Sequence, residues 1–209
     1  MFRELTCLMG ALMAVAALSG CSQRPGRVAP TDIDPEEVAQ ALIAEHDKDG
    51  NGTLSAEELR TVAAIQTCQD DYDRNGDSQI SPVELTENFQ RIFDGKVGLI
   101  TASCRVTRNG RPLPDALVYF VPISVFADVL PVAGGITGRN GVTDLSIRQD
   151  DLPKNAPKVQ GLIRPGLYFV EVTHPSMQIP VKYNKQTELG YEVTPRTVAG
   201  GPLNIALKF

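Results

Sequence analysis

Between Asp47 and Glu58 the chain reads Asp-Lys-Asp-Gly-Asn-Gly-Thr-Leu-Ser-Ala-Glu-Glu, which sets oxygen-bearing side chains at alternate positions and closes on a carboxylate. A hard divalent cation such as calcium takes roughly six to eight oxygens at about 2.3–2.6 Å, so alternate side chains of one tightly turning loop must converge on a point. Asp47, Asp49 and Asn51 stand at loop positions 1, 3 and 5, Gly52 at position 6 and Glu58 at position 12. Glycine at position 6 supplies the positive φ of the sharp turn. Thr53 is expected to offer its backbone carbonyl, Ser55 to act directly or through water, and Glu58 to close the shell with both oxygens. Leu54 is the loop residue expected in the core.

A second loop starts at Asp73, with Asn75 and Asp77 at positions 3 and 5, Gln79 offering a carbonyl at 7, Ile80 at the apolar position 8, Ser81 at 9 and Glu84 at 12. Position 6 is Ser78 here, and a non-glycine residue in the left-handed region costs roughly 1 kcal/mol or more, so weaker binding is expected. A register starting at Asp71 would put Gly76 at position 6 but Pro82 at position 12, and proline cannot chelate. Both stretches resemble EF-hand loops, and the resemblance implies two calcium ions, the second held less tightly. The link from Leu59 to Tyr72 is long enough for one shared helix of about 21 Å. Whether Leu54 and Ile80 meet in the short β-bridge usual for that family is open at this point.

The elements that must position these loops are legible around them. Asp34-Pro35-Glu36-Glu37 carries a cap, a first-position proline and the glutamate of a capping box, followed by an apolar stripe of Val38, Leu42 and Ile43. Ser81-Pro82-Val83-Glu84 repeats the signal ahead of Leu85, Phe89, Ile92 and Phe93. Beyond Gly98 the apolar period changes to two. Strands are expected at 99–106, 116–123, 142–147, 167–172, 191–193 and 203–209, with Asn109-Gly110 and Asn140-Gly141 as turns and 150–161 as a surface loop. The expected fold class is therefore α+β in two domains: a small all-α pair over 32–97 and an antiparallel β-sandwich over 98–209.

Several runs in the second segment resemble the carboxypeptidase regulatory-like domains, a transthyretin-like (prealbumin-like) sandwich. They are Val106 to Ala116, Val118-Tyr119-Phe120-Val121-Pro122, Gly138-Arg139-Asn140-Gly141 with Thr143, Pro165-Gly166-Leu167-Tyr168 and Ile179 to Asn184. The resemblance implies a fold and no reaction. No His-x-x-Glu zinc pair occurs, so peptidase activity is not expected.

At the N-terminus Arg3 precedes an apolar run from Leu8 to Leu18, the form of a secretory signal and too short to span a bilayer, which takes about 20 residues. Leu18-Ser19-Gly20-Cys21 resembles the bacterial lipobox. This implies removal of residues 1–20 and acylation of Cys21, leaving an exported protein held on the membrane of the cell envelope by lipid. Ser22, in place of an acidic residue, implies outer-membrane sorting. Residues 21–31 then form a lipidated tether, with the proline-containing stretch 22–30 reaching up to roughly 30 Å.

Charge and composition narrow the function. Residues 22–97 hold 16 Asp and Glu against 7 Lys and Arg, whereas 98–209 hold 8 against 12, in a chain of net charge −5. Such a chain lacks the basic footprint of a nucleic-acid binder. His46 reads as the last residue of the helix entering the first loop, and His174, near Ser176 and Glu171, as a strand-end histidine rather than part of a triad. Cys68 and Cys104 are the two cysteines outside the leader and the lipobox. Either a disulfide between them staples the two segments, or both are buried thiols. The expected function is calcium binding by a membrane-anchored, non-enzymatic structural or interaction protein, with calcium, the membrane and a protein or envelope component as partners. A calcium-sensing module and an accessory sugar- or peptide-binding domain are the alternatives.

Overall fold

Asp34 stops the chain's extended N-terminal stretch by accepting hydrogen bonds from the amides of Glu36 and Glu37 at 3.0 and 3.3 Å, and helix α1 (Pro35–His46) begins there. The structure is a computed structural model that describes residues 28–95 and 97–209; the leader, Cys21 and the tether up to residue 27 lie outside these residues. The last tether residues are docked: Val28 is buried and Arg164 donates to the carbonyls of Ala29 and Gly98 at 3.3 and 3.4 Å.

After α1 come β1 (Leu54–Ser55), a 3-10 turn (Glu58–Thr61), α2 (Ala63–Gln66), α3 (Gln69–Tyr72), β2 (Gln79–Ile80) and α4 (Pro82–Phe93). The expected single helix between the loops is thus broken into three short pieces. The backbone leaves the helical region at Val62 (φ −123°, ψ 64°) and Cys68 (φ −125°, ψ 29°). The cause is tertiary. Ala63, Ala64 and Ile65 are buried, and the Thr67 hydroxyl lies 3.1 Å from the carbonyl of Gly190. Helix propensity of a few tenths of a kcal/mol per residue yields to such docking.

Helix α4 begins with a complete capping box between Ser81 and Glu84 and buries Leu85, Asn88, Phe89, Ile92 and Phe93, one face at helical spacing. The second segment supplies β3 (Ile100–Thr101), β4 (Ser103–Arg108), β5 (Arg111–Pro112), β6 (Leu117–Pro122), β7 (Ala133–Ile136), β8 (Val142–Asp144), β9 (Ser146–Ile147), β10 (Leu162–Ile163), β11 (Gly166–Thr173), β12 (Gly190–Val193), α5 (Pro195–Val198) and β13 (Leu203–Leu207). Asn109 (φ 50°) and Gly110 (φ 78°) both take the positive φ of a type I′ hairpin.

The fold is α+β. An antiparallel sheet runs β12-β11-β6-β7-β9, and a second sheet runs β13-β4-β5 with β8 also paired to β4. One pair departs from the antiparallel pattern, since β13 lies parallel to β4, with Leu203 opposite Cys104. The expected strand 142–147 is divided between the sheets at Leu145: β8 pairs with β4 and β9 with β7. Buried side chains of both sheets and of the helices form one continuous cluster, in which Phe126 sits against Phe89 and Phe93 at ring-centroid distances of 5.4 and 5.1 Å. Among the described residues no helix is long and apolar enough to cross a membrane.

Candidate metal centre

Each loop is folded by a ladder in which its own acidic side chains take up backbone amides. In the first, Asp47 accepts from the amides of Gly50 and Gly52 at 2.7 and 2.8 Å, Asp49 from that of Asn51 at 3.0 Å, and Asn51 from that of Thr53 at 2.8 Å. The second repeats it. Asp73 accepts from Gly76 and Ser78 at 2.7 and 2.8 Å, Asn75 from Asp77 and Asp77 from Gln79, both at 2.8 Å. Gly52 takes φ 83° and Ser78 takes φ 65°, so the serine does occupy the left-handed position. These bonds turn the acidic side chains of each loop back onto its own backbone amides.

The closing glutamates come back across their loops. Glu58 accepts the Lys48 amide at 2.7 Å through one oxygen, and the amide and hydroxyl of Ser55 at 2.8 and 2.7 Å through the other. The Ser55 hydroxyl, then the Ser55 and Lys48 amides, hold its carboxyl far below the ordinary range, at about 2. Glu84 accepts from the amides of Arg74 and Asn75 and from the amide and hydroxyl of Ser81. Burial raises its pKa, but these bonds together outweigh burial and leave it lowered.

The first loop brings ligand oxygens of Asp47, Asp49 and Glu58 within 4.8 Å of one another. That span is about twice a calcium–oxygen bond of roughly 2.4 Å, so a cation at the centre could touch all three. The all-oxygen donor set suits a hard cation and not a thiophilic one. Among the described residues this is the one such group of three carboxylates; Asp73, Asp77 and Glu84 are not gathered as closely. Ser55 and Ser81 turn their hydroxyls to Glu58 and Glu84. Leu54 pairs with Ile80 in the antiparallel β1–β2 bridge, which settles the open question, and the Thr53 hydroxyl meets the Gln79 side-chain oxygen across it.

His46, expected only to end the entering helix, and three groups not singled out in the sequence, Tyr72, Arg91 and Glu192, hold the flanks of the loops. His46 Nδ1 lies 2.9 Å from the Thr61 hydroxyl, which donates to the Glu58 carbonyl at 2.7 Å. Tyr72 donates to Glu192 at 3.1 Å, and Arg91 forms a two-pronged ion pair with the same carboxylate at 2.9 and 2.8 Å. Tyr72 stays protonated because burial, then the adjacent Glu192, raises its pKa. Glu192 is buried and Arg91 only partly so, so removing Arg91 would leave a buried carboxylate short of its ion-pair partner. A glutamate flanked by Tyr191 and Val193 in a strand was the available sequence signal for it.

Cys68 and Cys104 are free thiols, so the disulfide staple is not what joins the two segments. The Cys68 thiol instead donates to the Ala64 carbonyl at 3.1 Å, while Cys104 is buried on β4. The Arg91–Glu192 pair and the phenylalanine contacts make the connection. His174 spends its ring nitrogens on the Pro114 carbonyl at 3.0 Å and the Ser176 amide at 3.1 Å.

No family model matches the chain, and no solved structure matches it. Over 88 residues it is 30% identical to calcium-binding protein LPS1-beta of Lytechinus pictus, covering 34% of this chain and 36% of that protein. The chain thus spans about a third of the length of the curated relative it matches.

Proposed function

We propose that the chain binds calcium, one ion in each of its two EF-hand-like loops, with Asp47, Asp49, Asn51, Thr53, Ser55 and Glu58 around the first and Asp73, Asn75, Asp77, Gln79, Ser81 and Glu84 around the second. The convergence of Asp47, Asp49 and Glu58 carries this reading. Similarity to a calcium-binding protein supports it. The first loop is the tighter site, since glycine occupies its left-handed position where the second loop has Ser78.

The ions serve to stiffen the helical segment against the sheets. Phe89 and Phe93 of α4 already pack on Phe126, so that face of α4 is taken up by the β segment, which favours a structural role over a sensing one. The lipobox-like run ending at Cys21 supports an exported lipoprotein of the bacterial envelope, sorted to the outer membrane. The β segment, as a carboxypeptidase regulatory-like domain, serves there as a binding surface for a protein or envelope component and not as a catalyst.

Calcium calorimetry on the full chain in detergent tests the central claim. One ion per loop is expected, with Glu58→Gln abolishing the tighter phase and Glu84→Gln the weaker. A chain that takes up no calcium would sink it. For the anchor, labelled palmitate should be incorporated by the wild-type chain expressed in bacteria and not by Cys21→Ser.

A further inference from the structure

We infer that Glu192, on β12, is a positioning residue for the second cation loop, holding both flanks of that loop from the edge of the five-stranded sheet. The inference rests on the calcium reading above.

Tyr72 is the residue immediately before Asp73, loop position 1, and its hydroxyl donates to Glu192 at 3.1 Å across 120 residues of sequence. From the other side, Arg91 of α4 grips both oxygens of Glu192 at 2.9 and 2.8 Å. Arg91 also donates from Nε and Nη2 to the side-chain oxygen of Asn88 at 3.2 and 3.0 Å. Asn88 in turn donates to the backbone carbonyl of Glu84, loop position 12, at 2.9 Å. One carboxylate therefore ties the residue before the first ligand to the helical turn that carries the last.

The network is built to be stiff. Asn88 is fully buried and Glu192 is 7% exposed, while Arg91 between them is partly open to solvent, so water has little room to replace a partner lost at Asn88 or Glu192. Every step lies within hydrogen-bond distance, and no buried side-chain polar atom among the described residues lacks a partner. The first loop has its own short version of the same tie, from His46 through Thr61 to the Glu58 carbonyl, all within 15 residues. The sheet therefore acts directly on the second loop and reaches the first less directly, through the β1–β2 bridge. Linkage makes the effect reciprocal: an ion that favours the ordered second loop favours the docking of β12 to the same degree.

The test isolates each site in the full chain, using Glu58→Gln to leave the second loop and Glu84→Gln to leave the first, with calcium as the probe. Adding Glu192→Gln should weaken the second loop about tenfold, as loss of a group orienting metal ligands does, and leave the first within about twofold. Glu192→Gln strands the Arg91 charge, so two further variants accompany it. Arg91→Met with Glu192→Met removes both charges and should also weaken the second loop. Tyr72→Phe deletes one hydrogen bond and should weaken it about threefold. The Arg91 Nε–H resonance should shift when calcium fills the second loop and stay fixed when it fills the first. Equal weakening of both loops, or an unchanged second loop in all three variants, overturns the assignment of Glu192. A wild-type chain that binds no calcium at either loop overturns the calcium reading, and this inference with it.

Discussion

Tyr72 stands to the second loop as His46 stands to the first: each immediately precedes the first loop carboxylate, and each is tied by side-chain hydrogen bonds toward the carbonyl of the closing glutamate. The routes differ in reach. His46 needs only Thr61 from the neighbouring 3-10 turn, whereas Tyr72 goes through Glu192 on the sheet. Two loops with nearly the same internal ladder are thus framed differently at these positions, although β1 pairs with β2 and Ser124 of the β segment donates to Glu45, just before His46, at 2.7 Å. The broken link between the loops is part of the same arrangement, because α2 must lie flat on β12 for Tyr72 to reach Glu192.

Ser78 offers a direct check on the cost of the second loop's turn. Its φ of 65° lies where an L side chain is strained, while Gly52 takes 83° at the same loop position. Ser78→Gly should raise stability in chelator by about 1 kcal/mol, and Gly52→Ser should lower it by a similar amount. Urea denaturation curves of the two variants read this out. Opposite signs are expected, and a destabilised Ser78→Gly would show that the serine is held there by compensating contacts.

What was legible in the sequence was what short spacing controls. The loop spacing foretold that position 6, Gly52 or Ser78, turns left-handed, because the turn and the side chains that cap it lie within a dozen residues; the same turn at position 4, Gly50 and Gly76, was not read. The Asn109–Gly110 hairpin was readable for the same reason. The helix break at Val62 and Cys68 was not, since its cause is the approach of Gly190. Strand β7 had no expected counterpart, because Gly134 and Gly135 interrupt its apolar alternation; a Cβ on either would run into the neighbouring strand residues Val118 and Tyr119 or Thr143 and Asp144. Nor could any local pattern pair β13 with β4 in parallel, or bring Glu192 to Tyr72.

The thiols should be nearly inert in the folded chain. Burial pushes Cys68 up to about 12, with Glu192 and Asp71 adding to it, and burial alone does the same for Cys104. The thiolate is the reactive form, so at pH 8 only about one molecule in ten thousand is poised to react. Native protein should resist iodoacetamide, with any rate rising about tenfold per pH unit, and both cysteines should label in denaturant without reductant. Fast labelling of Cys68 at pH 8 would place its thiol in contact with solvent.

Phe126 should be a strong determinant of how firmly α4 is seated. Its ring lies at 5.4 Å from Phe89, edge-on at 78°, and at 5.1 Å from Phe93. Phe126→Ala removes the shared partner of both and leaves a cavity, at a cost of about 3–5 kcal/mol. Guanidinium denaturation should show this loss in a single transition if helices and sheets unfold together. A separate early loss of helical signal would instead show the two segments yielding one after the other.

At Gly190 the sheet backbone comes so close to the link that there is no room for a side chain. A Cβ there would meet the backbones of Ala63 and Ala64, which cannot swing aside as the end of a side chain could. Gly190→Ala must therefore push α2 off β12, at about 1–3 kcal/mol for overpacking. The Thr67–Gly190 hydrogen bond lengthens with it, and the Tyr72 hydroxyl moves away from Glu192. Melting temperature should fall, and amide exchange should accelerate at residues 63–72 while β6 and β11, paired from Leu117 to Pro122, keep their protection. Calcium affinity should fall more at the second loop than at the first, which the sheet reaches only through the β1–β2 bridge between the loops. If exchange at 63–72 stayed slow and both affinities held, the close approach of α2 to β12 would not be what breaks the helix between the loops.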